Sequence, residues 1–309
     1  MSPHGLMFHH FKDDRHKGGQ GSISAEVFAH LLMSIGLDRI LSASEWCHRA
    51  NEGTLKKGDL CLTFDDSLLC QFDIAVPVLE HFNKTAFWFV YSSVFQGVAE
   101  PFEIYRHFRT TQYADINDFY DEFFDVCSAL YPELTSEGFV MFGSSQYLSA
   151  AHYYSDTDRK FRFFRDVVLG PTTYHSLMAK ILTNHQMNQK DLSADIWMTN
   201  EHLKYLHARG HEIGLHSYTH PTRLSNYSIA KQRSEYERNA SHLTQLLGRA
   251  PIAMSHPNNS YSADTLNLLS AMGVTVGFRA DMASVNARST LEFAREDHAN
   301  LIRSLGTTY

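Results

Sequence analysis

The chain has 309 residues, 43% hydrophobic and 20% charged, enough for one large α/β barrel or two smaller domains around a packed core. Its 27 basic and 34 acidic residues leave a net charge of −7 with no basic stripe, so nothing points to nucleic acid or another polyanion as partner. The four cysteines, Cys47, Cys61, Cys70 and Cys127, match neither a zinc knuckle nor a disulfide framework and read as reduced thiols. The opening residues lack a signal-peptide pattern, and no apolar run reaches the roughly 18 residues of a membrane helix. A cytoplasmic protein is expected, acting on a soluble or membrane-surface molecule.

Taken in chain order, the first zone, about residues 5–95, alternates strands and helices. Gly5 to His10 reads as a strand. Ser24 caps a helix whose apolar face runs through Val27, Phe28, Leu31, Leu32 and Ile35. Leu60 to Phe64 is a buried-type strand running into Asp65 and Asp66, Pro77 to His81 is helical, and Thr85 to Tyr91 is a strand rich in aromatics. The second zone, about 96–195, is a mostly helical insertion. Phe119, Phe123, Cys127 and Leu130 form one apolar face, and Tyr174, Leu177, Met178 and Ile181 another. The third zone, about 196–300, alternates again. Thr199 caps a helix stopped at Gly210, and Glu212 to Leu215 is a strand ending at His216. A long helix covers Ser225 to Leu247. Strands at Ile252–Met254, Val274–Phe278 and Thr290–Phe293 flank a helix over Asp264–Met272. Such alternation implies a mostly parallel sheet that can close into a barrel.

The chemistry concentrates at two strand ends. Asp65 and Asp66 are adjacent carboxylates where parallel α/β folds carry their active sites, and neighbouring side chains diverge there. One can hold a metal while the other faces substrate; the alternative is a solvated turn. His216 and His220, four residues apart after another strand, can reach one ion if the chain bends between them. They can equally be two surface histidines in a chain with 19. Combined with a carboxylate at another strand end they become a two-histidine, one-carboxylate set that leaves positions for water and substrate.

These segments carry a family resemblance. Leu62-Thr63-Phe64-Asp65-Asp66 resembles the first motif of the polysaccharide deacetylases, carbohydrate esterase family 4, and His211 through His220 resembles the second. Met198-Thr199, Leu203 to Gly210 and Leu224-Ser225 look like that family's surroundings, and Met7-Phe8-His9 is similar to its Tyr-His element on the first strand. The resemblance covers some two-thirds of the chain and skips the insertion. It implies an α/β fold, a distorted and incomplete (β/α) barrel, forming a single catalytic domain over 1–309 with the insertion at about 96–195. It implies hydrolysis of an N-acetyl group on an amino sugar, with Asp65 as general base and Asp66, His216 and His220 holding one divalent ion, zinc by expectation.

Departures from the family pattern raise further expectations. Ser67 stands at a usual glycine. The third motif's arginine is missing from Ser255-His256-Pro257-Asn258-Asn259-Ser260-Tyr261, and the final Leu-x-His is replaced by Phe293-Ala294-Arg295-Glu296-Asp297-His298. Arg295 is expected to brace Asp65, and His298 or Asp297 to act on the proton-donor side; a surface position for His298 is the alternative. His256 either packs under the site or meets substrate with Asn258. His9 and His10 either line the pocket or are buried and hydrogen-bonded. The insertion either covers the site, with Arg106 and Arg109 meeting a phosphate or carboxylate, or forms a homo-oligomer interface. The expected substrate is small, a nucleotide- or lipid-linked amino-sugar precursor of lipopolysaccharide or capsule. Rival activities are removal of a formyl group and hydrolysis of a cyclic amide; a rival of another class is a non-catalytic sugar-binding descendant.

Overall fold

The structure, a computed structural model, describes residues 2–19, 21–149, 154–283 and 289–306. The chain divides into two compact units, Met1–Glu100 with Asp195–Tyr309, and Pro101–Ala194.

The first unit is a barrel of seven parallel strands: β1 His4–Phe8, β2 Leu60–Asp65, β3 Phe87–Val90, β4 Glu212–Leu215, β5 Ala253–Ser255, β6 Val276–Phe278 and β7 Arg295–Asp297. Their order is β6-β5-β4-β3-β2-β1-β7. Every neighbouring pair is parallel. One segment nearly closes the ring. Residues 290–293 lie along β6, with Phe293 N donating to Gly277 O at 2.9 Å and Arg279 N to Phe293 O at 2.8 Å. The same segment then crosses to β1, where Gly5 N donates to Ala294 O at 2.9 Å. The strand expected at Thr290–Phe293 is therefore the half of the closing segment that serves β6, and the ladder to β1 begins at Arg295. Gly277 is required for this approach, since a Cβ there would stand 2.7 Å from the Leu291 backbone.

Strand alternation sorts the side chains. Cys61 with Phe87, Phe89, Ala253, Val276 and Phe278 fills the interior, and Trp46, Cys47 and Ala50 of the helix Ala43–Glu52 join them. Phe87, Ala253 and Val276 are the first residues of their strands and Cys61 the second, so the N-terminal end of the barrel is closed by apolar packing. Outside, Phe64 stacks on Trp88 at 4.2 Å and on Phe8 at 5.5 Å, and Phe28 of the helix Ala25–Ile35 meets Phe8 edge-on. Burial of each such ring contributes about 1.5–3 kcal/mol. That leaves the C-terminal strand ends as the place for polar groups.

Caps fall where the residue types predict. Ser24 accepts from Val27 N, and Thr199 accepts from His202 N at the start of the helix Asn200–Ala208. The helix expected from Ser225 instead runs Ile229–Leu247, capped by Ser228. Ser225 is drawn away because its N–H and hydroxyl both bond the Ser260 hydroxyl, at 3.0 and 2.9 Å.

The second unit is helical and packs on aromatics. Phe119, Phe123 and Cys127 of Ile116–Leu130 are buried, as are Tyr174, Leu177, Met178 and Ile181 of Gly170–Asn184. Leu130, expected on the apolar face, is 45% exposed, because the helix ends there and Pro132 starts another.

Candidate functional site

β2 delivers Asp65 into the barrel interior on the face shared by Cys61 and Thr63. Asp66 then turns the chain with φ 76°, followed by Ser67 at 56°. The Ser67 conformation is one that glycine adopts freely and serine does not. At the end of β4 the chain makes a second strained turn, with Ser217 at φ 63° and His220 at 54°. The Ser217 hydroxyl accepts from His220 N at 3.1 Å.

These turns bring Asp66, His216 and His220 together. Asp66 Oδ1 lies 3.6 Å from each histidine Nε2, and one donor atom from each residue lies within 4.8 Å of the other two. His216 Nδ1 bonds the Ser255 carbonyl at 2.9 Å. A carbonyl only accepts, so Nδ1 carries the proton and Nε2 turns its lone pair toward Asp66. Burial pushes His216 down to about 3 despite Asp65 nearby, so the ring is neutral at physiological pH. The His220 ring stacks on Tyr91. One carboxylate oxygen and two imidazole nitrogens, with a backbone carbonyl fixing one tautomer, suit zinc or another late first-row divalent ion.

Asp65 does not join this set. Arg295 Nη1 and Nη2 donate to its two oxygens at 2.7 and 2.8 Å, and Ser255 Oγ lies 3.3 Å from Oδ2. Arg295 is fully buried, and its Nη2 also donates to Ser255 Oγ at 2.7 Å and its Nε to Arg279 O at 2.6 Å. Gly5 makes room for it, since a Cβ there would stand 3.1 Å from Arg295 Cγ. Burial acts to raise the Asp65 carboxyl, but the charge and hydrogen bonds of Arg295 outweigh it and hold the group well below the usual carboxylate range.

Of the remaining expected site residues, His9 reaches the centre. Its Nε2 is 3.8 Å from Asp65 Oδ2 and its side chain is 27% exposed. His10 follows with its ring 6.2 Å from that of His9. His256 is fully buried, stacked on Tyr261, with Nε2 on the Leu291 carbonyl, so it packs beneath the strand ends. Asn258 is exposed in a left-handed turn. The expectation for His298 is corrected. Its Nε2 bonds Gly21 O at 2.8 Å and its ring stacks on Phe8, on the outer face of β1. Asp297 caps the helix His298–Leu305 through Ala299 N, a structural task. In the helical unit, Arg106 pairs with Glu103, and the Arg109 guanidinium lies over Phe161. Both arginines have partners within that unit.

Sequence reasoning missed Ser255, which joins His216 to Arg295, and two polar residues of the helix Ile229–Leu247, Glu235 and Asn239. The helix offered a signal. Gln232, Glu235, Tyr236, Asn239, His242 and Leu243 fall on one face at helical spacing, and all are buried. A mixed polar face at apolar-face positions implies bonded partners.

The model of the polysaccharide deacetylase family matches residues 170–277, close to a third of the chain, a stretch holding His216 and His220 but not Asp65 and Asp66. No curated protein matches the sequence. Among solved structures, the Streptococcus pyogenes deacetylase PplD in complex with acetate is similar at 15% identity and TM-score 0.57, over 96% of this chain and 92% of that one. IcaB from Ammonifex degensii is similar at 14% identity and TM-score 0.53, over 95% and 90%. A de-N-acetylase from Aggregatibacter actinomycetemcomitans is similar at 12% identity and TM-score 0.54, over 96% and 94%. At these identities the likeness is one of fold, and it matches the parallel barrel described above. The chain is thus similar to the polysaccharide deacetylase family in sequence over the second-motif region and to the three solved proteins in fold over nearly its whole length.

Proposed function

We propose that the protein is a metal-dependent carbohydrate N-deacetylase that removes an acetyl group from an amino-sugar unit of a surface polysaccharide or its precursor. The observation that carries this reading is the Asp66–His216–His220 donor set beside an ionised Asp65 gripped by Arg295. A non-catalytic sugar-binding module would have no use for an oriented carboxylate beside a metal site. Two of the structurally similar proteins are themselves described as a deacetylase and a de-N-acetylase.

When bound by Asp66, His216 and His220, a divalent ion, zinc on this donor chemistry, would polarise the acyl carbonyl and make water more acidic. Asp65 orients the attacking water and takes its proton. Arg295 sacrifices some of that basicity in return for a carboxylate that is ionised at every working pH and held in one plane. Loss of the amine requires a proton on nitrogen. His9 is the donor in this reading: it faces Asp65 Oδ2, is open to solvent, and is the one histidine other than His216 with a described contact to Asp65. His298, held on Gly21 and Phe8, is not proposed for that role.

The test is acetate release from N-acetylglucosamine oligomers and from nucleotide- and lipid-linked N-acetyl sugars, with and without added zinc. Metal-dependent release from one of them that disappears in Asp65→Asn is the expected result. Absence of release from all of them by metal-loaded protein overturns the proposal.

A further inference from the structure

The two histidines of the metal set lie on either side of a strained turn, and one helix outside the barrel grips that turn at two points. Asn239 is fully buried. Its Oδ1 accepts from His216 N at 3.0 Å, and its Nδ2 donates to Val90 O at 2.9 Å and Ser92 Oγ at 2.6 Å. Its amide can face only one way, because His216 N only donates and the Val90 carbonyl only accepts. The amide thus reinforces, at the first ligand, a direct bond of 3.1 Å from His216 N to Val90 O that already joins the end of β4 to the end of β3. One helical turn earlier, Glu235 is buried, and its Oε2 accepts from Tyr218 N at 3.0 Å and Thr219 N at 2.8 Å. Its Oε1 accepts from Thr219 Oγ1 at 2.9 Å. These groups immediately precede the second ligand, His220.

We propose that Glu235 and Asn239 are positioning residues that together set the separation of His216 and His220, and with it the affinity of the site for a divalent ion. The inference rests on the metal-site reading above. Ser217 and His220 both hold positive φ, a conformation that persists in non-glycine residues only where the surroundings over-determine it. Glu235 supplies that constraint: three donors of the turn converge on one carboxylate. The i, i+4 spacing on a rigid helix makes the two grips a single ruler laid across the turn. Neither residue touches the donor atoms. Their effect passes through the backbone, and it differs from that of the Ser255 carbonyl, which acts on the His216 ring.

The test is a titration of metal-free protein with zinc and with cobalt, the latter read by its visible absorption, alongside the melting temperature of each metal-free variant. Glu235→Ala is expected to weaken binding by about 10–100-fold. Its cobalt spectrum should be altered while metal-free melting stays close to that of the parent. Glu235→Gln, whose amide oxygen can accept both backbone N–H groups, should bind close to the parent level. Asn239→Ala should weaken binding in the same direction. Lower melting with unchanged affinity in Glu235→Ala would show a structural role only and overturn the proposal. So would equal weakening by Ala and Gln, which would point to charge rather than position. If Glu235→Ala does not fold, Thr219→Val, which deletes one of the three bonds, decides: unchanged affinity overturns. A parent protein that binds no ion sinks the metal-site reading as well. A parent whose binding is abolished by His216→Ala but unmoved by Glu235→Ala sinks this inference alone.

Discussion

Arg295 and Asp65 stand 230 residues apart in sequence and share two hydrogen bonds of 2.7 and 2.8 Å inside the barrel. Their strands, β7 and β2, are not paired with each other; each pairs with β1, so the contact spans the interior across Gly5. Removing one partner of a buried pair costs about 3–5 kcal/mol, because the other is left charged and unsatisfied. Arg295→Ala is therefore expected to lower stability by that amount in chemical denaturation. Arg295→Lys keeps the charge but loses the fork, and should lower kcat more than stability. Asp65→Asn should retain the metal and lose at least about a hundredfold in rate. Near-normal turnover in Asp65→Asn would assign the base elsewhere.

His9 and His298 separate cleanly in their surroundings. His9→Gln is expected to lower kcat by about 10²–10⁴-fold with little change in melting, as loss of a proton donor does. His298→Gln should do the reverse, lowering melting through the lost Phe8 stack and altered Gly21 bond. Deacetylation rates at saturating substrate, set beside melting curves, distinguish the two; a larger kcat loss for the His298 variant would contradict the assignment.

Elemental analysis tests the metal set directly. The parent should carry about one equivalent of divalent ion after zinc loading, and His216→Ala and Asp66→Ala should carry far less, since each removes one of the three proposed ligands. Retention of the full equivalent in both variants would place the ion elsewhere.

Stability should fall with acid in a defined window. His211 and His256 are nearly fully buried, and burial pushes each down to about 4 from an ordinary value near 6.5. The His211 Nδ1 lone pair accepts from Ala86 N and Trp88 Nε1, so a proton there would face two donors. A histidine depressed in the folded state contributes full stability above its unfolded value and loses it as pH falls toward the folded one. Between pH 7 and 5 each is expected to cost about 2 kcal/mol. Urea midpoints of metal-free protein at the two pH values measure this loss together with that of His216, which burial pushes down to about 3 and which acts in the same direction, and an unchanged midpoint would contradict it.

Ser67 departs from glycine at a position with φ 56°, and among the described residues its buried hydroxyl has no hydrogen-bond partner. Ser67→Gly removes a left-handed cost of about 1–2 kcal/mol. It adds a chain-entropy cost of about 0.5–1 kcal/mol. Melting temperature should stay level or rise slightly; a clear fall would reveal a role for the hydroxyl.

Reading along the chain suffices for the alternating architecture and for the candidate metal set. Both are local: apolar alternation marks strands, and Asp65-Asp66 and His216 through His220 sit on strand ends where a short turn is enough to aim them. Which distant residues complete the site emerges only on folding. Arg295 is expected at Asp65 from the departures in the last motif, but the route by which it gets there, a closing segment that leaves β6 and joins β1, leaves no trace in chain order. His298 follows Arg295 by three residues in the same run and looks equivalent to a site residue in sequence. Yet Asp297 caps a helix there, and the His298 ring turns outward onto Phe8. His9, Ser255, Glu235 and Asn239 come near the candidate site because parallel strands end side by side there, and a single helix lies against two of those ends. Side-chain chemistry is written residue by residue, but convergence is a property of the closed sheet.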